Sequence, residues 1–156
     1  MRVGLGFDVH AFSDDPSRAL VLAGVTLPGE RGLAAVPEHA DVVVVHDAAR
    51  PFAAPSLFEA VVSAVRAGAD AAVPGVPILD TVKRVVDGQV AATLDRDELV
   101  AVQTPQAFAA AALRKAHAAC GDATDDAALV EAAGGRVTIV PGDPANAKIT
   151  LRTDLG

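Results

Sequence analysis

The sequence predicts an α/β layered fold, and three observations carry that prediction. Apolar runs the length of strands alternate with amphipathic runs the length of helices. One run, from Asp41 to His46, is continuously β-branched in its interior, as a strand buried on both faces requires, and this points to a parallel sheet. Hydrophobic residues make up 51% of the chain but aromatics only 3%, with no Trp or Tyr, so the core must be built from Ala, Val and Leu. At 156 residues there is enough chain for one domain with its own core and too little for two ordinary ones.

Residues 2–9 read as a short strand. Ala19–Leu27 reads as a second, closed by Pro28-Gly29, and the two are expected to form a small antiparallel unit. A compositional seam lies at 34–40, so the expected organisation is an N-terminal β segment over 1–34 and an α/β unit over 41–156, packed as one compact body. After the 41–46 strand, Pro55–Ala67 places apolar residues at Leu57, Phe58, Val61, Val62 and Val65, with Pro in the first turn and Gly68 past the end, which is a capped helix. Ala69–Val73 is the next strand. Thr81–Val86 and Gln89–Leu94 flank Asp87-Gly88, a strong short hairpin signal, and predict a projecting two-stranded arm. Gln106–Ala119 reads as an Ala-rich helix. Thr124–Ala133 reads as another, with Thr124 as cap and Asp125 and Asp126 in its positive first turn. Arg136–Val140 and Ala147–Leu151 read as strands, and Thr153-Asp154 as a helix start.

A net charge of −7 argues against a nucleic-acid or anionic-membrane surface, because phosphate backbones need a basic field. An anionic ligand must then be held by locally placed cations. The single Cys120 excludes an internal disulfide and a thiolate zinc cluster, and reads as a small buried hydrophobe. The N-terminus lacks a signal-peptide pattern, and no stretch approaches the roughly 18 apolar residues of a membrane span. A cytoplasmic protein is expected.

The sharpest motif is His46-Asp47-Ala48-Ala49-Arg50-Pro51, directly after the buried strand, where open α/β sheets place ligands. Asp47 is a hard oxygen ligand suited to magnesium shared with phosphates, and Arg50 a forked donor for phosphate. A loop held by an internal Asp–Arg pair is the competing explanation. Four more segments put polar or cationic groups at element ends: 80–84, 95–96, 103–106 and 146–150. Singly, each is more often a cap, turn or solvated charge.

In combination, HDAARP, the DTVKR stretch, LDR after the hairpin, VQTPQAF, ATDDAALVEAAGG and VPGDPANAKIT occur in the order and approximate spacing of 2-C-methyl-D-erythritol 4-phosphate cytidylyltransferases, which residues 41–155 resemble. The resemblance implies a Rossmann-like layered nucleotidyltransferase half-domain that joins CTP to the phosphosugar with magnesium and releases pyrophosphate. It implies that Asp47 binds magnesium and substrate, and that Asp47, Arg50 and Lys148 form the catalytic set. Thr104 and Thr124 would line the methylerythritol phosphate pocket beside Arg50 and Lys148. Thr81 and Arg96, on the arm, would reach the neighbouring subunit's site in a homodimer joined through 81–94. The glycine-rich loop with Arg and Lys that grips CTP in that family has no counterpart in these residues. The expectation is therefore a chain that binds methylerythritol phosphate better than CTP and turns over poorly.

Residues 1–34 resemble a different family. Gly4-Leu5-Gly6-Phe7-Asp8-Val9-His10-Ala11-Phe12, with Leu22-Ala23-Gly24-Val25 and Gly32-Leu33-Ala34, is similar to the start of 2-C-methyl-D-erythritol 2,4-cyclodiphosphate synthases. There the Asp-x-His pair, here Asp8 and His10, ligates zinc. Alternate residues on a strand share a face, so the spacing suits a metal. With no third ligand matched, zinc is expected to bind weakly. Cyclodiphosphate synthesis and a non-catalytic chimera remain the alternative readings.

Overall fold

The structure, a computed structural model, describes residues 5–6, 20–22, 25–27, 39–119 and 125–149. Ten strands and three α-helices follow in chain order: β1 (Leu5–Gly6), β2 (Leu20–Leu22), β3 (Val25–Leu27), β4 (Val42–Val45), α1 (Pro55–Arg66), β5 (Ala71–Pro77), β6 (Lys83–Val86), β7 (Gln89–Thr93), β8 (Val100–Val102), β9 (Gln106–Ala109), α2 (Ala110–Ala119), α3 (Asp126–Ala132) and β10 (Val137–Pro141). A 3-10 turn at Arg96–Glu98 separates β7 from β8. No described helix is long and apolar enough to cross a membrane.

The main sheet has the order β1-β4-β9-β5-β10, with β8 also on β5. It is mixed, not purely parallel. β1 runs parallel to β4, and β10 parallel to β5, but β9 is antiparallel to both β4 and β5. The β-branched run at 42–45 thus predicted a sheet-interior strand, with Val43 buried and its neighbours partly so, while its direction is split, parallel to β1 and antiparallel to β9.

Helices cover both faces. Side chains alternate along each strand. Val43, Ala71, Val73 and Phe108 therefore meet Leu113 and Ala116 of α2 and Ala127, Leu129 and Val130 of α3 on one side. Ala72, Ala107 and Val140 meet Val61 and Val65 of α1 on the other. In α1, Leu57, Val61 and Val65 recur every four residues and form its buried stripe, while Pro55 stands in the first turn and Arg66 in the last, where a cation favours the helix dipole.

Several local expectations are corrected. Gln106–Ala109 is a strand, and the helix starts only at Ala110. Helix propensity is a weak prior, and here the ladder to β4 and β5 outweighs it. Ala19–Leu27 is not one strand: β2 and β3 pair antiparallel with each other, and β1 joins the main sheet instead. Asp125, not Thr124, caps α3, its carboxylate accepting from the Ala128 amide at 2.8 Å. Residues 147–149 form no strand. The predicted helix start at Thr153-Asp154 lies outside the described residues.

The arm forms as expected. Among the described residues β6 and β7 pair only with each other, and both turn residues have positive φ, Asp87 at 50° and Gly88 at 76°, the conformation a tight hairpin turn needs.

Candidate active site

The site forms where three separate segments meet at one end of the sheet. β4 and β9 are in antiparallel register with Val45 opposite Gln106. Continuing that register by two residues sets Asp47 opposite Thr104, and the Asp47 amide donates to the Thr104 hydroxyl at 2.9 Å. Residues 103–105 are an interruption in one extended run: β8 before it pairs with the second half of β5, and β9 after it with the first half. The break turns Thr104 toward the 46–50 loop. The Thr104-Pro105 peptide is cis.

The third segment comes from β10. After Pro141 the chain crosses the strand ends, with Gly142 donating to Gly75 and Asn146 to the Asp143 carbonyl, until the Ile149 amide reaches the Ala49 carbonyl at 2.8 Å. This crossing delivers Lys148, whose ammonium lies 2.7 Å from the Asp47 carboxylate. The other Asp47 oxygen accepts from the Ala49 amide at 2.9 Å. Burial pushes the Asp47 carboxyl up, but the hydrogen bond to Lys148, the Ala49 amide and the nearby charges of Lys148 and Arg50 outweigh it, and the group is held below its ordinary value. Asp47 is therefore an anion at neutral pH, with the Lys148 cation beside it.

Arg50 does not pair with Asp47. Its guanidinium donates to the Asn146 carbonyl at 2.8 Å, so the internal Asp–Arg pair weighed from sequence is replaced by an Asp47–Lys148 pair. His46 ties the loop together. Its Nε2 lies 3.0 Å from the Arg50 carbonyl, which can only accept, so this nitrogen carries a proton. Its Nδ1 is 3.1 Å from the Thr104 hydroxyl, and its ring meets Phe58 edge-on at 5.1 Å.

Four of the expected site residues, Asp47, Arg50, Thr104 and Lys148, are thus brought together. Thr81 and Arg96 are exposed at the base of the arm, where the Arg96 guanidinium bonds the Leu79 carbonyl. Thr124, Asp8 and His10 lie outside the described residues. Sequence reasoning missed three buried polar side chains, Gln103, Gln106 and Asn146. The only signal for them was amides in segments already flagged for other reasons.

Residues 17–156 match the family described as IspD, 2-C-methyl-D-erythritol 4-phosphate cytidylyltransferase. The chain belongs to this family. The family match begins well upstream of the seam placed at 34–40. The chain is 54% identical over 155 residues to the bifunctional enzyme IspD/IspF of Nitratidesulfovibrio vulgaris, covering 97% of this chain and 38% of that protein. Against the 2-C-methyl-D-erythritol 4-phosphate cytidylyltransferase of Saccharopolyspora erythraea it is 56% identical over 118 residues, 74% of this chain and 53% of the relative. Among solved structures, the Francisella tularensis cytidylyltransferase superposes with a TM-score of 0.71 at 31% identity, covering 79% of this chain and 61% of that one. The chain thus spans between about a third and about half of the length of these curated relatives. In this cytidylyltransferase-family chain, the mixed α/β sheet and its helices correspond to the fold of those structures.

Proposed function

We propose that this chain carries the phosphosugar side of a cytidylyltransferase site, serving the reaction of CTP with 2-C-methyl-D-erythritol 4-phosphate. In that reaction a phosphate oxygen of the sugar forms a bond to the α-phosphorus of CTP, the α–β phosphoanhydride bond breaks, and pyrophosphate leaves with the electron pair. The observation that carries the reading is the convergence of Asp47, Thr104 and Lys148 from three distant segments, with Lys148 2.7 Å from Asp47 and Arg50 on the same loop. Phosphoryl transfer is catalysed mainly by positioning and by neutralising charge, and these are the groups that do so.

Lys148 and Arg50 supply the cations for the sugar phosphate, with Thr104 beside them on the facing segment. Asp47 fits a magnesium ion: it is ionised, partly reachable, and stands without two further acidic, His or Cys partners among the described residues. Magnesium accepts such a site because it keeps most of its water and takes other ligands from phosphates. Bound there, the ion would supply charge neutralisation to the nucleotide phosphates, while Lys148 and Arg50 would serve the phosphate of the sugar. The arm is proposed to join two copies, since an isolated two-stranded sheet is marginal in water and this one shows Val85, Val86 and Val90 more than half exposed.

The test is calorimetric titration of methylerythritol phosphate and of CTP separately, each with magnesium, followed by a pyrophosphate-release assay with both. The expected result is tighter binding of the phosphosugar than of CTP, weakened about 10- to 100-fold by Lys148→Met, the range for a lost charge-assisted hydrogen bond. Phosphosugar binding that is absent, or indifferent to Lys148, would overturn the reading.

A further inference from the structure

We infer that Asn146, clamped by Gln103, is a positioning residue that sets Arg50 and Lys148 in place at the Asp47 corner; the inference rests on the reading of this corner as a phosphosugar site. Asn146 has no exposed surface, although it lies in a loop, where polar side chains ordinarily face water. Its donors and main chain are paired, while its side-chain oxygen is buried without a hydrogen-bond partner. The side-chain amide donates to the Thr104 carbonyl at 2.8 Å. Its main-chain carbonyl accepts from the Arg50 guanidinium at 2.8 Å and from the Gln103 amide at 3.3 Å. One residue thereby links the Thr104 break, the Arg50 loop and the segment that carries Lys148.

Gln103 holds that residue in place. Its carboxamide pairs with both backbone groups of Asp143, donating to the carbonyl at 2.8 Å and accepting from the amide at 3.0 Å, as a neighbouring strand would. The fit leaves no slack, because a Cβ on Gly142 would come within 2.9 Å of the Gln103 oxygen and 2.8 Å of Val76. Beyond Asn146 the chain is next fixed at Ile149, by its bond to Ala49. Lys148 therefore projects from a short span pinned at both ends. A lysine on a free loop would lose backbone and rotamer freedom on binding, and this clamp puts that ordering into the folded protein before any ligand arrives. Arg50 is ordered by the same carbonyl, which the Asn146 side chain keeps in position through Thr104.

A purely structural role would show as lower stability and nothing more. The positioning role is read from Arg50 itself, by nitrogen-detected NMR of its guanidinium in the free protein, together with calorimetry of methylerythritol phosphate at a temperature where each variant is folded. In Asn146→Ala, and in Asn146→Asp, which keeps the shape but lacks the donor toward Thr104, the Arg50 guanidinium should exchange with water at least about 10-fold faster. Phosphosugar affinity should fall by about 10-fold in both. The double variant Asn146→Ala/Arg50→Met should lose less than the sum of the two singles, since part of the Asn146 effect acts through Arg50. If the Asn146 variants do not fold, Gln103→Met, which removes the clamp and keeps Asn146, should give the same Arg50 signature. Folded variants with unchanged Arg50 exchange, or additive losses in the double variant, would overturn the inference. If wild type binds no phosphosugar while the variants still free Arg50, the site reading fails and the positioning stands.

Discussion

The sheet corner around β4 and the hairpin arm are built from similar residues and end in opposite environments. Val42–Val45 lie within the main sheet, with Val43 in the core facing α2 and α3 and Val42 and Val44 packed toward α1. Val85, Val86 and Val90 sit in strands of comparable length and are 56%, 54% and 62% exposed. The difference teaches that an apolar strand is buried by the layers above and below it, and that a hairpin can form from turn chemistry alone without such layers. It also separates two kinds of apolar surface, one already used within the chain and one available to a second copy.

The largest expected effect lies on the covered side. Phe108 has no exposed surface and is the largest fully buried side chain among the described residues, seated in β9 between β4 and β5. Phe108→Ala should destabilise the chain by about 3–5 kcal/mol, the range for a buried aromatic truncated to a methyl. Urea unfolding measures it, and a loss near that of an ordinary surface change would mean that the helices do not cover the sheet at Phe108.

The arm should respond in the opposite sense. Val86→Lys with Val90→Lys should leave the stability of the single chain within about 0.5 kcal/mol, as surface substitutions do, while weakening self-association at least about 10-fold, since buried apolar side chains are worth that much each. Sedimentation at several concentrations reads the second quantity. A wild-type chain that is monomeric throughout would remove the arm's proposed role.

The smallest effect sharpens the site corner. The Asp47 carboxyl is held below its ordinary 3.8 when folded and returns to it when unfolded. Its stabilising contribution is therefore complete above about pH 4 and is lost as pH falls through the folded-state value. Wild type should be more stable than Asp47→Asn near neutrality, by less than about 1 kcal/mol because Lys148 is 42% exposed and screened by water. The gap should close in acid. A gap that widens below pH 4 would contradict the ion pair.

Much of this was legible in the residues. The arm, α1 and the burial of β4 followed from a turn dipeptide, a four-residue apolar spacing and a β-branched run, all of them local signals. The ordered motifs pointed to Asp47, Arg50, Thr104 and Lys148, which the fold brings to one corner. Other features were not legible. Gln106–Ala109 reads as helix because Ala is the best helix former, and only the open edges of β4 and β5 make it a strand. Gln103 and Asn146 look like any loop amides, and nothing in their spacing reveals that each is buried with partners about 40 residues away.

By itself, then, the sequence determined the element types set by short-range chemistry, the small-residue character of the core and the identity of the charged groups. Tertiary structure decided the direction of β9, the replacement of an Asp47–Arg50 pair by Asp47–Lys148, and the buried amides that hold the cations in place. The physical reason is separation along the chain. Turn geometry and periodicity act within a few residues, whereas a strand's partner, a carboxylate's counter-ion and a buried amide's acceptor are chosen among segments that meet only once the sheet has closed around them.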